Sequence, residues 1–177
     1  MEQASDDALL TQARAGDMEA FAQLVHRHES QVAAVVCGML GKGEEAEDVG
    51  QEVFIRFYQA LDRFRGDAKL STYLVRIAMN LSINALKRRK RHQAVHGAIE
   101  EASKVGVTQG SEWDEVVQRS LRTLPAEFRT VVVLRLMEGY DTAETAEMLQ
   151  LPIGTVLSRL ARAQVKLREQ LSKYFKS

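Results

Sequence analysis

Thr155, Arg159, Arg162 and Lys166 recur every three or four residues along "LPIGTVLSRLARAQVKL". On an α-helix that spacing gathers them on one narrow stripe. Val156, Leu160, Ala163, Leu167, Leu171 and Tyr174 form a second, apolar stripe to one side. A helix that docks by one face and shows a basic edge has the chemistry that the DNA major groove requires. Arg pairs bidentately with guanine, and Lys or Thr holds phosphates. An ordinary solvated amphipathic helix shares that pattern, so the preceding residues decide. "TAETAEMLQLPIGTV" predicts a short helix to Leu149, a turn over Gln150 to Pro152, and then the basic helix. Ala146 is small where the two would cross, and Leu149, Val156 and Leu160 can close a core. This is a helix-turn-helix layout.

A second basic helix is predicted from Ser71, as N-cap, to Arg91. Leu74, Ala78, Leu81 and Ala85 make its buried stripe, and Arg76, Asn80, Asn84, Lys87 and Arg91 cluster opposite with Tyr73 beside them. Asparagine is a mediocre helix former, so two of them one turn apart on a basic face point to amides that hydrogen-bond base edges. Tyr73 can stack on an unpaired base, and "KRRKR" (Lys87 to Arg91) can grip phosphates. Upstream, a helix over residues 46–61 buries Ala46, Val49, Val53, Phe57 and Ala60 and presents Asp48, Gln51, Glu52, Ile55 and Gln59. An acidic face with an exposed aliphatic residue repels DNA and suits a basic protein partner.

The elements that must hold these faces are all helical. Ser5 caps a first helix that Gly16 and Asp17 end; a second runs from about Asp17 toward Val36; "GKGEE" is a turn and "RFRGDAKLS" a loop. Pro125 suits the first turn of a helix bearing Phe128, Val131, Val132 and Leu136 on one face. "VVVLRL" has strand propensity, but its Pro125 and Gly139 flanks and its helical spacing favour a helix. The expected fold is all-α, with two small helical domains at residues 1–91 and 112–177. Residues 92–111, where periodicity fades and three glycines appear, are expected to be a flexible linker.

Charge is segregated along this chain of 177 residues and zero net charge: residues 1–60 carry −7, residues 61–91 carry +7, residues 112–150 carry −4 and residues 151–177 carry +5. Each domain therefore pairs an acidic block with a basic one. Neutrality overall weakens the phosphate attraction that drives non-specific DNA binding. One cysteine, Cys37, excludes an intrachain disulfide framework and suits a reducing compartment. The acidic "MEQASDDALL" does not read as a signal peptide, and no apolar run is long enough for a membrane span. A cytoplasmic protein without membrane insertion is expected. His26, His28 and Glu29 lie near Cys37, but the two histidines face different sides of a helix, whereas zinc takes four convergent ligands. Cys37 reads as a buried core thiol. No phosphate loop, nucleophile elbow or Ser/His/Asp arrangement occurs. No catalytic residue, metal, cofactor or small-molecule substrate is expected.

"AEDVGQEVFIRFYQAL", "RFRGDAKLSTYLVRIAMNLSINALKRRKR", "LRTLPAEFRTVVVLRLMEGY" and "LPIGTVLSRLARAQVKLRE", in that order, resemble the sigma-70 superfamily and its extracytoplasmic-function (ECF, group IV) branch. The resemblance implies an alternative bacterial sigma factor that binds core RNA polymerase, through its beta and beta-prime subunits, and recognises and melts promoter DNA for a stress or envelope regulon. It implies core-polymerase contacts at Asp48, Gln51, Glu52 and Ile55, since "AEDVGQE" is similar to the segment that meets the polymerase clamp. It implies minus-ten contacts at a pocket loop, Gly66, Asp67 and Ala68, and at Tyr73, Arg76, Asn80, Asn84, Lys87, Arg88 and Arg91. It implies minus-thirty-five contacts at Thr155, Ser158, Arg159, Arg162 and Lys166, and an anti-sigma factor as a further partner. Three departures stand out: Tyr73 where many relatives have tryptophan, Leu157 where Arg or Lys is frequent, and Thr142 and Thr145 where the first helix of the motif usually packs a larger residue. The competing class is a stand-alone helix-turn-helix repressor or activator, which needs two-fold symmetry and a palindromic site.

Overall fold

The computed structural model describes residues 4–96 and 111–174. Eight α-helices occur in this part, and the first four make one lobe: α1 (Asp6–Arg14), α2 (Met18–Leu40), α3 (Glu44–Ala60) and α4 (Leu70–His96). Local chemistry sets their ends. Ser5 accepts a hydrogen bond from the Ala8 amide, and Asp17 accepts from the Glu19 and Ala20 amides. α3 lacks a side-chain cap and opens instead with Glu44, Glu45 and Glu47, acids that favour the positive end of the helix dipole. After α3 a 3-10 turn, Leu61–Arg63, is tied to α1 by the Arg14 guanidinium, which donates to the carbonyls of Leu61 and Phe64.

α4 differs from the expected helix at both ends. It begins at Leu70, so Ser71 lies inside its first turn and is not the N-cap, and it continues five residues past Arg91 to His96, into the expected linker. Residues 97–110 of that segment lie outside the described part. In the lobe's core, Val35, Val36, Val53, Phe57, Val75 and Ala78 are fully buried around α2.

The second lobe contains α5 (Glu112–Thr123), α6 (Ala126–Val132), α7 (Thr142–Leu149) and α8 (Ile153–Leu171). Reciprocal capping boxes start α5 (Ser111 with Asp114) and α7 (Asp141 with Glu144), each satisfying two otherwise orphaned amides. Pro125 stands one position earlier than expected, at the N-cap of α6. "VVVLRL" is helical, but α6 widens into a π-turn over Val133–Met137. That extra residue per turn rotates the side chains beyond it. Leu136, expected on the buried face, is therefore about half exposed (52%), while Val133 and Leu134 are fully buried.

The second lobe's own apolar clusters are small. Leu121, Leu124, Val132 and Ala163 form one, and Val131, Ala146 and Val156 form the other. Val133 and Leu134 belong instead to the apolar cluster of the first lobe. Gly38 of α2 makes this approach possible: a Cβ there would lie 3.0 Å from Val133 Cγ2 and 3.4 Å from the Met137 sulfur.

Candidate nucleic-acid and polymerase interfaces

α3 follows its periodicity with one exception: Ala60, expected on the buried face, is only partly buried at the helix's last position. Ala46, Val49, Val53 and Phe57 are buried, and Asp48, Gln51 and Ile55 are exposed. Glu52 is half-buried and accepts from Arg56 Nε at 2.8 Å, an i,i+4 pair that neutralises part of the acidic face. Ile55 at 50% exposure and Tyr58 at 46% supply an apolar edge beside these acids.

The loop between α3 and α4 contains the expected pocket residues. Gly66 has φ +77°, a conformation L-residues seldom adopt. Asp67 is exposed and pairs loosely with Arg65 at 3.6 Å. Gly66 and Ala68, with Lys69 and Ser71, line a cleft of about 370 Å³ whose opposite wall is Asp6, Asp7 and Leu10 of α1. The first turn of α1 was not among the expected site residues. The nearest signal was the pair of acids after Ser5, which serves equally well as helix-dipole chemistry.

Asp6 is also held from the other side. Arg27 Nη1 donates to Asp6 Oδ1 at 2.5 Å, and His28 Nε2 lies 2.9 Å from Oδ2. Burial pushes the Asp6 carboxyl up, but its hydrogen bonds with Arg27 and His28 and their charges outweigh that and hold it below the usual value. His28, weighed above as a metal ligand, thus anchors α1 to α2, and His26 pairs with Glu29 at 2.9 Å. Among the described residues no group of three or more His, Cys, Asp or Glu converges on a metal-sized site. Cys37 packs against the first lobe's core as expected but is only partly buried, and burial raises its pKa.

On α4 the expected DNA face divides. Asn80, Asn84, Lys87, Arg88 and Arg91 are exposed. Tyr73 is half-buried: its ring lies 4.9 Å from that of Phe64 and 6.2 Å from that of Phe57. Such aromatic pairs contribute about 0.5–1.5 kcal/mol each beyond area burial, so the two phenylalanine rings hold Tyr73 in a fixed orientation. Arg76 is turned toward the other lobe, where its Nη2 donates to Glu147 Oε1 at 2.5 Å. The basic run closing α4 is partly structural. Arg88 reaches Glu45 at 3.3 Å, and Arg89 donates to Glu45 and to the Leu40 carbonyl, closing the end of α2.

The helix-turn-helix forms as its spacing predicts. Gln150 ends α7 in the left-handed region (φ 54°), its amide donating to Glu147 O at 3.2 Å, and the Leu151 amide donates to Ala146 O at 2.9 Å. Ala146, Val156 and the half-buried Leu149 and Leu160 close the crossing. Thr145, noted above as small for its position, is fully buried and satisfies its hydroxyl by donating to Asp141 O at 2.7 Å. On α8, Ser158, Arg162 and Lys166 are exposed, and Thr155 and Arg159 are half-buried. Among the described residues none of Arg159, Arg162 and Lys166 forms an ion pair. Leu157, where a basic residue is frequent in the resemblance, is exposed on the same helix.

Arg129 is a residue the sequence reading passed over. It is buried, with only 7% of its surface exposed, and donates to Met39 O in the first lobe and to the Arg122 and Leu124 carbonyls at the end of α5. Burial, with repulsion from Arg89 and Arg122, lowers its pKa to about 10, so it stays charged at neutral pH. The signal was present: Arg129 falls on the same helical face as Val132 and Val133.

Residues 24–92 match the family model for sigma-70 region 2, and residues 114–167 match that for sigma-70 region 4. The chain is 34% identical to the ECF RNA polymerase sigma factor SigW of Bacillus subtilis (strain 168), over 92% of its own length and 94% of that protein. It is 35% identical to the ECF RNA polymerase sigma-E factor of Escherichia coli (strain K12), over 92% of both. Among solved structures, it resembles the sigma factor RpoE in complex with the anti-sigma factor NepR from Bartonella quintana (25% identity, TM-score 0.73, 86% of this chain and 96% of that one). It also resembles CnrH in complex with the cytosolic domain of CnrY (28% identity, TM-score 0.68, 95% and 97%). The chain belongs to the extracytoplasmic-function sigma factors of the sigma-70 family, which bind core RNA polymerase and direct promoter recognition, melting and transcription initiation. No helix among the described residues is long and apolar enough to cross a membrane.

Proposed function

We propose that three faces divide the work of initiation. Asp48, Gln51, Glu52 and Ile55 on α3 dock on the basic clamp of core polymerase. Gly66, Asp67, Ala68 and Tyr73, with Arg76, Asn80, Asn84, Lys87, Arg88 and Arg91 on α4, hold the opened minus-ten segment. Thr155, Ser158, Arg159, Arg162 and Lys166 on α8 read the minus-thirty-five duplex. The single observation that carries this reading is the exposed acidic and aliphatic face of α3 in one chain with two separate basic faces on α4 and α8. A stand-alone repressor has no use for the first of these.

The protein acts in the cytoplasm, beside the polymerase, on a stress or envelope regulon. An anti-sigma factor is its inhibitor, a reading supported by the similar sigma factor RpoE, whose structure is a complex with the anti-sigma factor NepR. The test mixes the purified chain with sigma-free core polymerase and follows gel-filtration co-migration and run-off transcription from a genomic promoter library. Selective initiation is expected, and Asp48→Ala or Glu52→Arg should weaken co-migration while leaving the fold intact. Tight binding to a palindrome with no affinity for core would overturn the reading.

A further inference from the structure

Ile153, Leu157 and Val165 stand about half exposed on α8, more large apolar side chains than any other helix shows among the described residues. A single exposed leucine needs no explanation. These residues, however, are ordered around the helix. At 3.6 residues per turn, Leu157 sits about 100° round from the buried Val156, and Arg162 about 120° the other way. One flank of α8 is therefore cationic, with Arg159, Arg162 and Lys166, and the other is apolar, with Leu157 one turn after Ile153. The first charge on the Leu157 flank is Arg168, about three turns further on. Between the flanks runs an exposed line of Gly154, Ser158, Ala161 and Val165. Its residues are short and uncharged, and a Cβ on Gly154 would meet nothing within 4 Å. The helix can thus approach a groove floor closely, with both flanks in reach of it.

We propose that Leu157, with Ile153 behind it, reads the C5 methyl group of a thymine in the minus-thirty-five duplex. The inference rests on the assignment of α8 to that element and names what one flank of it recognises. Both residues lie within the first two turns of α8, and the N-terminal residues of a recognition helix are those that reach base edges. Thymine alone among the four bases carries an apolar group in the major groove, and leucine offers the others no donor or acceptor. Contact removes methyl and leucine surface from water together. The cationic flank grips phosphates or guanine, so one groove is divided between charge and methyl recognition.

The test uses holoenzyme assembled from the full chain and core polymerase, with a promoter taken from the run-off selection. Uracil replaces each minus-thirty-five thymine in turn, which removes only the methyl group, and fluorescence anisotropy of the labelled duplex reads affinity. At one or two positions uracil is expected to weaken wild-type binding about four-fold, the value of one buried methyl-sized group. Leu157→Ala keeps the helix, since alanine is the best helix former, and should bind thymine and uracil duplexes equally. No uracil effect at any position, a uracil effect that survives in Leu157→Ala, or a selected element without thymine would overturn the proposal. Weaker co-migration of Leu157→Ala with core, the uracil effect being intact, would assign Leu157 to the polymerase instead.

Arg162→Ala separates this contact from the assignment beneath it. That variant should weaken thymine and uracil duplexes by the same factor. A flat uracil scan alongside that loss refutes the methyl contact alone. A duplex indifferent both to uracil and to Arg162→Ala refutes the assignment of α8 as well.

Discussion

The basic helices α4 and α8 both bury one side and turn cations outward on another, but they commit those cations differently. On α4, Arg76 is held by Glu147, Arg88 and Arg89 by Glu45, and Tyr73 by two phenylalanine rings. On α8, Arg162 and Lys166 extend into solvent from a helix anchored by Val156 and Ala163 alone among fully buried residues. Charge pattern alone does not distinguish these helices. What differs is the company each keeps: α4 crosses the main core against α2 and α3, whereas α8 closes a small lobe against α5, α6 and α7. One basic face is built into the protein's stability, and the other can change at little structural cost, as suits the reading role proposed for it.

The largest test of that contrast lies beneath α4. Phe57 is fully buried and supports both Phe64 and Tyr73. Phe57→Ala is expected to lower unfolding free energy by about 3–5 kcal/mol in chemical denaturation, and a loss under about 1 kcal/mol would mean that α4 is not anchored as described. Next comes the helix-turn-helix. Asp141→Ala removes the carboxylate of the α7 capping box and should cost about 0.5–2 kcal/mol, read as a lower melting temperature of the second lobe.

A pH series sharpens the account of the first lobe. Arg27 and His28 hold the folded Asp6 carboxyl below its ordinary value of 3.8. Its contribution to stability is therefore complete above that value and is lost as pH falls through the lower folded pKa. Thermal melts of the wild type should show this loss in acid, whereas Asp6→Asn should be less stable at neutral pH and lack that part of the acid dependence. The smallest effect on stability belongs to α8. Arg162→Ala should change it by no more than about 0.5 kcal/mol, while the holoenzyme's salt dependence for duplex promoter DNA should lose about one phosphate contact.

Where helical periodicity met ordinary capping chemistry, the sequence could be read almost residue by residue. The inward faces of α3 and α4, the Ser5 cap, the break between α1 and α2 near Asp17, and the α7–α8 crossing at Ala146 and Val156 all follow from it. Three features were hidden for physical reasons. The π-turn at Val133–Met137 has no local sequence code, since a run of β-branched and long aliphatic residues fits α and π geometry alike, and it displaced Leu136 from the core. Gln150 adopts a left-handed conformation where glycine is the usual residue, so the turn had to be inferred from its flanks. Arg129 and Arg76 act across the lobes, and partners 90 and 71 residues away leave no trace in a local window.

The measurement that bears most directly on the division of labour is site-specific photocrosslinking in holoenzyme bound to promoter DNA. A photoreactive residue replaces Asn80 on α4 in one preparation and Ser158 on α8 in another, both being exposed positions. Crosslinks from Asn80 confined to the minus-ten region, and from Ser158 confined to the minus-thirty-five region, are predicted. Crosslinks from both positions to one element, or from Asn80 to none, would contradict the assignment of separate promoter elements to the two basic helices.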